Sequence, residues 1–208
     1  MDHPIKILFT GEGGQGVQTI AKILTKAAFL SGRKTTYLPN YGVEQRGGVS
    51  LAFVQICECE VKHKSCDCDI GFPKFNKADI LLNLRERAIE RTKRYVKKEA
   101  LYIYDSSLVS RESLSGISSP KIAVPASDYA KKKLEPRVFN MVVLGAVISY
   151  TDIVNRNFIY RAIDDVFKEK IKKKPELKHL NHQAFDIGYK LMKNIENAGK
   201  KSDKEANV

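Results

Sequence analysis

Four glycines fall within the six residues Gly11-Glu12-Gly13-Gly14-Gln15-Gly16, directly after the apolar run Ile5-Lys6-Ile7-Leu8-Phe9-Thr10. A helical pattern begins at once, at Val17. In a strand–glycine loop–helix unit the backbone N–H groups of the first helical turn point into the loop, where a phosphate or other anion finds donors and the positive end of the helix dipole. Glycine permits the tight turn and the close approach of a ligand. Gly11, Gly13 and Gly16 also satisfy the G-x-G-x-x-G spacing of dinucleotide binders. Two tests count against an ordinary nicotinamide or nucleotide site. A dinucleotide binder carries an acid at the end of its second strand for the ribose hydroxyls, whereas the next strand candidate ends Tyr37-Leu38-Pro39-Asn40. No Gly-Lys-Ser/Thr follows, so a Walker loop is not formed. Three readings stay open: a phosphate-bearing ligand other than a dinucleotide, a tight turn packed on another subunit, and a Rossmann cofactor site.

A second loop, Tyr41-Gly42-Val43-Glu44-Gln45-Arg46-Gly47-Gly48, carries the other candidate chemistry. Loops at the carboxyl ends of neighbouring strands face one crevice in an open α/β sheet, which places Arg46 near Gly11–Gly16. Flanked by Gly47 and Gly48, its guanidinium has room for a two-pronged contact with a phosphate or carboxylate. The alternative is a structural ion pair with Glu44 or Glu12.

All four cysteines lie in one excursion, as Cys57-x-Cys59 and Cys66-x-Cys68. Residues two apart share a face of a strand. A hairpin turning at Lys62-His63 opposes Cys57 to Cys68 and Cys59 to Cys66, with all four sulfurs on one side. That suits a tetrahedral zinc site, or opposed disulfides, or free thiols in an ordinary hairpin. Lys-His is poor two-residue turn chemistry, and His63 reads as a turn residue rather than a ligand.

These groups need a scaffold, and the remaining sequence supplies one. Val17, Ile20, Ala21, Leu24, Ala27 and Ala28 repeat with helical period, and Ser31-Gly32 ends that helix. Strand patterns follow at Thr35–Leu38, Val49–Cys57, Ala78–Leu84, Ala100–Tyr104 and Lys121–Val124. An exposed amphipathic helix is expected over Arg85–Lys98. Further helices are expected over Asp128–Leu134, Val138–Tyr150, Asn157–Lys170 and Asn181–Asn197. The alternation predicts a three-layer, Rossmann-like α/β domain with a mixed or mostly parallel central sheet and a helical C-terminal third. One domain spans residues 1–198, with a cysteine-containing hairpin at about 57–69, and residues 199–208 read as a disordered tail.

The chain of 208 residues is 43% hydrophobic and 29% charged, enough to bury a core. No apolar run reaches the roughly 18 residues of a membrane helix, and Met1-Asp2-His3-Pro4 does not open a secretory signal. A cytoplasmic location and no membrane partner are therefore expected. The formal net charge of +12 favours anionic partners. Nucleic acid is not expected among them, because no basic stretch carries an aromatic platform or recognition motif. No Ser/His/Asp or Cys/His pairing is visible, so no catalytic residue is assigned.

Taken together, Gly-Glu-Gly-Gly-Gln-Gly at 11–16 and Tyr-Gly-Val-Glu-Gln-Arg-Gly-Gly at 41–48 resemble the gamma subunit of 2-oxoacid:ferredoxin oxidoreductases. Three further segments agree: Lys77-Ala78-Asp79-Ile80-Leu81, where an Asp opens a buried strand; Arg137–Ala146, with Asn140 near a helix start; and Asn181–Tyr189, which matches the usual ending. The resemblance spans Ile5 to Leu191. It implies a non-autonomous subunit of a hetero-oligomer that oxidatively decarboxylates a 2-oxoacid (pyruvate, 2-oxoglutarate or a branched-chain or aryl oxoacid) to acyl-coenzyme A and reduces ferredoxin. It implies alpha, beta and delta-type partner subunits that hold thiamine diphosphate and [4Fe-4S] clusters. This chain has neither a Gly-Asp-Gly…Asn-Asn thiamine signature nor a C-x-x-C-x-x-C cluster run. The role left to it is assembly and access for coenzyme A, whose phosphates suit a glycine loop and a basic surface. The expected contacts are Gly11, Gly13, Gly14, Gln15, Gly16, Tyr41, Gly42, Glu44, Arg46, Gly47, Gly48 and Asn140. The cysteines depart from the family pattern, leaving Cys57, Cys59, Cys66 and Cys68 as a candidate zinc site. The competing readings are a stand-alone Rossmann-like nucleotide-binding oxidoreductase and a basic adaptor for an acidic protein.

Overall fold

The computed structural model describes residues 3–40, 47–60 and 67–205. Six strands form one mixed sheet: β1 (Ile5–Glu12), β2 (Arg33–Asn40), β3 (Val49–Glu60), β4 (Ala78–Asn83), β5 (Val96–Asp105) and β6 (Lys121–Val124). Their order across the sheet is β2-β3-β1-β4-β5-β6. β1, β4, β5 and β6 run parallel, while β3 pairs antiparallel with both β1 and β2. The expected mixed α/β sheet is what the chain forms.

Residue alternation explains the layers, because successive strand side chains face opposite ways. Ile7, Phe9, Val54, Ile56, Ile80, Leu82 and Ile103 point to one face. There they join one core with α1 (Val17–Leu30) and with α3 (Ala126–Lys133), α4 (Phe139–Thr151), α5 (Arg156–Val166) and α7 (Glu176–Glu205) of the helical third, whose short α6 (Lys168–Lys173) buries no residue. Leu8, Leu51, Phe53, Leu81 and Tyr102 point to the other face, under Ala88, Ile89, Tyr95, Leu114 and Ile117.

That second layer corrects one expectation. Arg85–Lys98 is not an amphipathic helix but a 3-10 turn (Glu86–Ala88), the single turn of α2 (Ile89–Thr92) and a second 3-10 turn (Lys93–Tyr95), after which β5 begins at Val96. Only Ala88, Ile89, Thr92 and Tyr95 are buried there. Their spacing is helical, which is why the sequence reads as a helix, but Val96 is paired to Ala78 in the sheet, so the segment must end by Tyr95 and forms short turns instead. The helix expected over Asn157–Lys170 is likewise divided, into α5 and α6. At the C-terminus α7 runs on through Gly199 to Glu205, so the backbone of the expected tail is helical there.

The cysteine excursion also differs from the thiolate reading. Cys57, at the end of β3, is joined in a disulfide to Cys68, with Cα atoms 6.0 Å apart and both residues fully buried. Cys59 is disulfide-bonded too. A sulfur bonded to sulfur is no longer a thiolate donor, so these cysteines do not form the expected zinc pocket. Cys66 and His63 lie outside the described residues. Asp67–Ile70 carry no strand, so the described part of the return arm is irregular. Of the open readings for the pair 57 and 68, the structure holds the opposed disulfide.

Candidate functional site

β1 lies at the middle of the sheet, and its carboxyl end carries the glycine loop into α1. Because β3 runs antiparallel to β1, with Glu12 opposite Val49, the segment preceding β3 returns to that same end. The backbone N–H of Gly13 donates to the carbonyl of Gly48 at 3.0 Å, and Arg87 Nη1 donates to the carbonyl of Gly47 at 3.0 Å. The two glycine-containing segments therefore meet at Gly13 and Gly48. Tyr41, Gly42, Glu44 and Arg46 lie outside the described residues.

Inside the loop, Gln15 turns back on the protein. Its Oε1 accepts from the Glu12 N–H at 2.7 Å, and its Nε2 donates to the Leu84 carbonyl at 3.1 Å. Glu12 pairs with Arg85 at 3.1 Å. Below them is a buried polar knot. Thr10 Oγ1 lies 3.0 Å from the Leu82 carbonyl and 3.1 Å from Asn83 Oδ1. Asn83 Nδ2 donates to the Tyr102 hydroxyl at 2.9 Å, and the Arg85 N–H donates to Asn83 Oδ1 at 3.1 Å. Burial pushes the Tyr102 phenol up to about 12, against the opposing effect of the Asn83 amide. This knot ties β1, β4 and β5 together beneath the loop, and Gln15 serves as the loop's pin.

Gly16 is the residue before α1, at φ 78°, and no side chain caps the helix. A Cβ on Gly16 would overlap Asn140 Nδ2. The conformation and the close neighbour both require glycine here. Asn140, on the first turn of α4, thus reaches the loop from far along the chain.

Between loop and helices opens a cleft of about 290 Å³, lined by Gly14, Gly16, Thr19, Arg137, Asn140, Lys170 and Asn181 among others. Arg137 pairs with Glu135 through its Nε, and Lys170 lies over the Phe167 ring at 5.6 Å. An uncapped helix start with two cations nearby attracts an anion, and the volume suits a phosphate or pyrophosphate group rather than a whole nucleotide. Of the residues named from sequence, Gly14, Gly16 and Asn140 line this cleft, while Gly11 and Gln15 build the loop from behind. Sequence reasoning does not single out Arg137, Lys170, Thr19 or Asn181. Arg137 stands three residues before Asn140, a spacing that shares a helix face. Lys170 has no local signal, because only the packing of α6 brings it in. Among the described residues, no cluster of His, Cys, Asp or Glu is placed to hold a metal ion.

Fold and cleft define a Rossmann-like α/β domain in which a glycine loop and two cations line one open cleft. The chain belongs to the pyruvate ferredoxin/flavodoxin oxidoreductase family, whose model matches residues 6–191, and within it to the gamma-type subunits. It is 32% identical to the 2-oxoglutarate synthase subunit KorC of Methanocaldococcus jannaschii, across 91% of this chain and 95% of that one. It is 30% identical to the pyruvate/ketoisovalerate oxidoreductases common subunit gamma of Pyrococcus abyssi, across 82% and 90%. Among solved structures, the gamma subunit of a keto/oxoacid ferredoxin oxidoreductase from Geobacter sulfurreducens superposes with a TM-score of 0.71 at 26% identity, covering 90% of this chain and 98% of that one. The relatives are named for different oxoacids. No helix among the described residues is long and apolar enough to cross a membrane.

Proposed function

We propose that this chain is a non-autonomous subunit that helps assemble a 2-oxoacid:ferredoxin oxidoreductase and gives coenzyme A access to it. The complex converts a 2-oxoacid to acyl-coenzyme A in the cytoplasm and passes the electrons to ferredoxin. Thiamine diphosphate and [4Fe-4S] clusters belong to alpha, beta and delta-type partners. The observation that supports this is the convergence of Gly14, Gly16, Asn140, Arg137 and Lys170 on one open cleft. Its donors are suited to a phosphate of coenzyme A. Its loop side is the edge where Gly13 meets Gly48, so both glycine-containing segments can share one ligand or one partner.

The strand order argues against the dinucleotide alternative. In a dinucleotide-binding sheet the second strand lies parallel beside the first and presents the ribose-binding acid. Here β3 and β4 flank β1, and β2 lies beyond β3, ending in Pro39-Asn40.

The test is kinetic and uses the assembled complex. Arg137→Gln and Asn140→Ala should raise the Michaelis constant for coenzyme A, roughly tenfold for the lost charge-assisted contact, and leave the oxoacid constant nearly unchanged. Full assembly with an unchanged coenzyme A constant in both variants would remove this cleft from coenzyme A binding. The purified chain alone, given thiamine diphosphate, coenzyme A and oxoacid, should not reduce a viologen dye.

A further inference from the structure

A second recess lies on the opposite face of the sheet, at its β6 edge. Tyr104 on β5 pairs with Ala123 on β6, and Tyr102 pairs with Lys121. Tyr104, Lys121 and Ala123 therefore share a face. The 3-10 turn Glu112–Leu114 covers that face only in part. It leaves a space of about 520 Å³ lined by Tyr104, Arg111, Leu114, Ser115, Lys121 and Ala123.

The lining has one chemical character. Tyr104 is 6% exposed, and its hydroxyl forms no hydrogen bond with a described residue. It is nonetheless absent from the fully enclosed, unpaired polar atoms, so the hydroxyl opens into the recess. Arg111 forms no ion pair with a described residue. Lys121 Nζ makes a single long contact, 3.4 Å to the Ser119 carbonyl. Ser115 adds a hydroxyl, and no carboxylate lines the space. Two cations, a phenol and a hydroxyl thus line the recess with no carboxylate among the lining residues to balance the positive charge. The Tyr104 ring is the most buried of these donor-bearing side chains, so its hydroxyl is the one held most rigidly at the recess wall. A doubly charged oxyanion would match all four. Leu114 and Ala123 form an apolar wall for the body that carries it.

We propose that this recess binds a small molecule bearing a doubly charged oxyanion, such as a phosphate monoester, at a site separate from the glycine-loop cleft. Arg111 and Lys121 hold the charge, and Tyr104 and Ser115 orient it.

Calorimetric titration of the full chain with phenyl phosphate tests this, with benzyl alcohol as the uncharged analogue. In the Arg137→Gln background, which weakens the glycine-loop cleft, phenyl phosphate should bind saturably, one per chain, and benzyl alcohol should not bind. Arg111→Gln and Lys121→Gln should each weaken binding roughly tenfold or more. Tyr104→Phe should weaken it less. Lys132→Gln, which removes one exposed charge from α3, should leave it unchanged. Arg111 and Lys121 are surface residues whose replacement spares the fold, so the result stands even if Tyr104→Phe misfolds. Binding that survives both charge substitutions overturns the proposal. So does binding lost with Arg137→Gln instead, which would place the probe in the glycine-loop cleft. Binding by the free chain that disappears in the assembled complex would also overturn it, since a segment of a neighbouring subunit would then fill the recess.

Discussion

Replacing Gly16 by Ala perturbs the glycine loop at one atom, and its consequences can be worked out in advance. At φ 78° a residue with a Cβ sits in the left-handed region, at about 1–2 kcal/mol. The new methyl would also overlap Asn140 Nδ2, deep inside van der Waals contact. The neighbour is the end of a side chain, so Asn140 can rotate away, at about 0.5–1.5 kcal/mol for leaving its rotamer. The sum, about 1.5–3.5 kcal/mol, corresponds to a fall in Tm of about 3–14 °C for a chain of this size. Scanning calorimetry of the single variants and of Gly16→Ala/Asn140→Ala separates the two contributions. The backbone strain persists in the double variant, whereas the collision vanishes. The double variant should therefore be more stable than additivity predicts, by about 0.5 kcal/mol or more, a size typical of residues in contact. In the assembled complex Gly16→Ala should also raise the coenzyme A constant, because the displaced Asn140 no longer lines the cleft. A Tm within about 1 °C of the parent, against the several degrees expected, would refute the loop geometry. Strict additivity would refute the Gly16–Asn140 contact.

Gly188→Ala should cost more than Gly16→Ala, because its Cβ would collide with the Val142 carbonyl, where α7 crosses α4 and backbone cannot turn aside. Urea unfolding should show a loss of about 3 kcal/mol or more, and a loss under about 1 kcal/mol would contradict that crossing. Gln15→Ala leaves the Glu12 N–H and the Leu84 carbonyl unpaired, so chain stability should fall by about 1–3 kcal/mol, read by the same unfolding curves. Cys57→Ala/Cys68→Ala opens a cross-link of sequence separation 11 and should cost about 1–3 kcal/mol by denaturant titration, the lower end applying if the Cys59 disulfide already restricts the unfolded chain. Tyr102 loses its proton late, near 12 rather than 10, so the folded state holds more protons than the unfolded between those values. Its contribution to stability is complete below pH 10 and is lost as pH rises toward 12, by on the order of 2–3 kcal/mol. Tyr102→Phe should flatten that alkaline limb.

Sequence patterns reveal most of the scaffold and only half of the site. β1, β3, β4 and α4 are legible as continuous apolar runs buried on every side, and α1, α5 and α7 by apolar residues repeating about every 3.6 positions. Arg85–Lys98 is not, because its charges mimic a helix surface while the sheet needs only a thin cover of Ala88, Ile89 and Tyr95. The meeting of Gly13 with Gly48 follows from adjacency of strand ends, a rule that reads from sequence once the strands are known. Asn140 enters through family likeness alone. Lys170 and Asn181 are invisible, since their approach to the loop depends on how α6 and α7 pack, which no local pattern encodes. The cysteine register, by contrast, is geometric: a hairpin sum pairs 57 with 68, and the structure pairs them.

The strand order also explains why a dinucleotide-like glycine loop can occur without a dinucleotide-like site. β2 and β3 form an antiparallel pair inserted where a second parallel strand would stand. That insertion removes the position from which an acid would reach a ribose, and it brings Gly47 and Gly48 back over the end of β1. The glycine loop is then flanked by Gly48 on one side and by Asn140, Arg137 and Lys170 on the other. Among the described residues, Arg137, Asn140 and Lys170 line one small cleft beside the loop. Under the proposed function, a ligand of the cleft would place its phosphates at the loop and leave the rest of its length outside a space of about 290 Å³. Coenzyme A has that shape, with its phosphates at one end and its reactive thiol at the far end of a long arm. On the proposed reading, a domain that grips only the phosphates would leave the thiol free to reach chemistry on a neighbouring subunit.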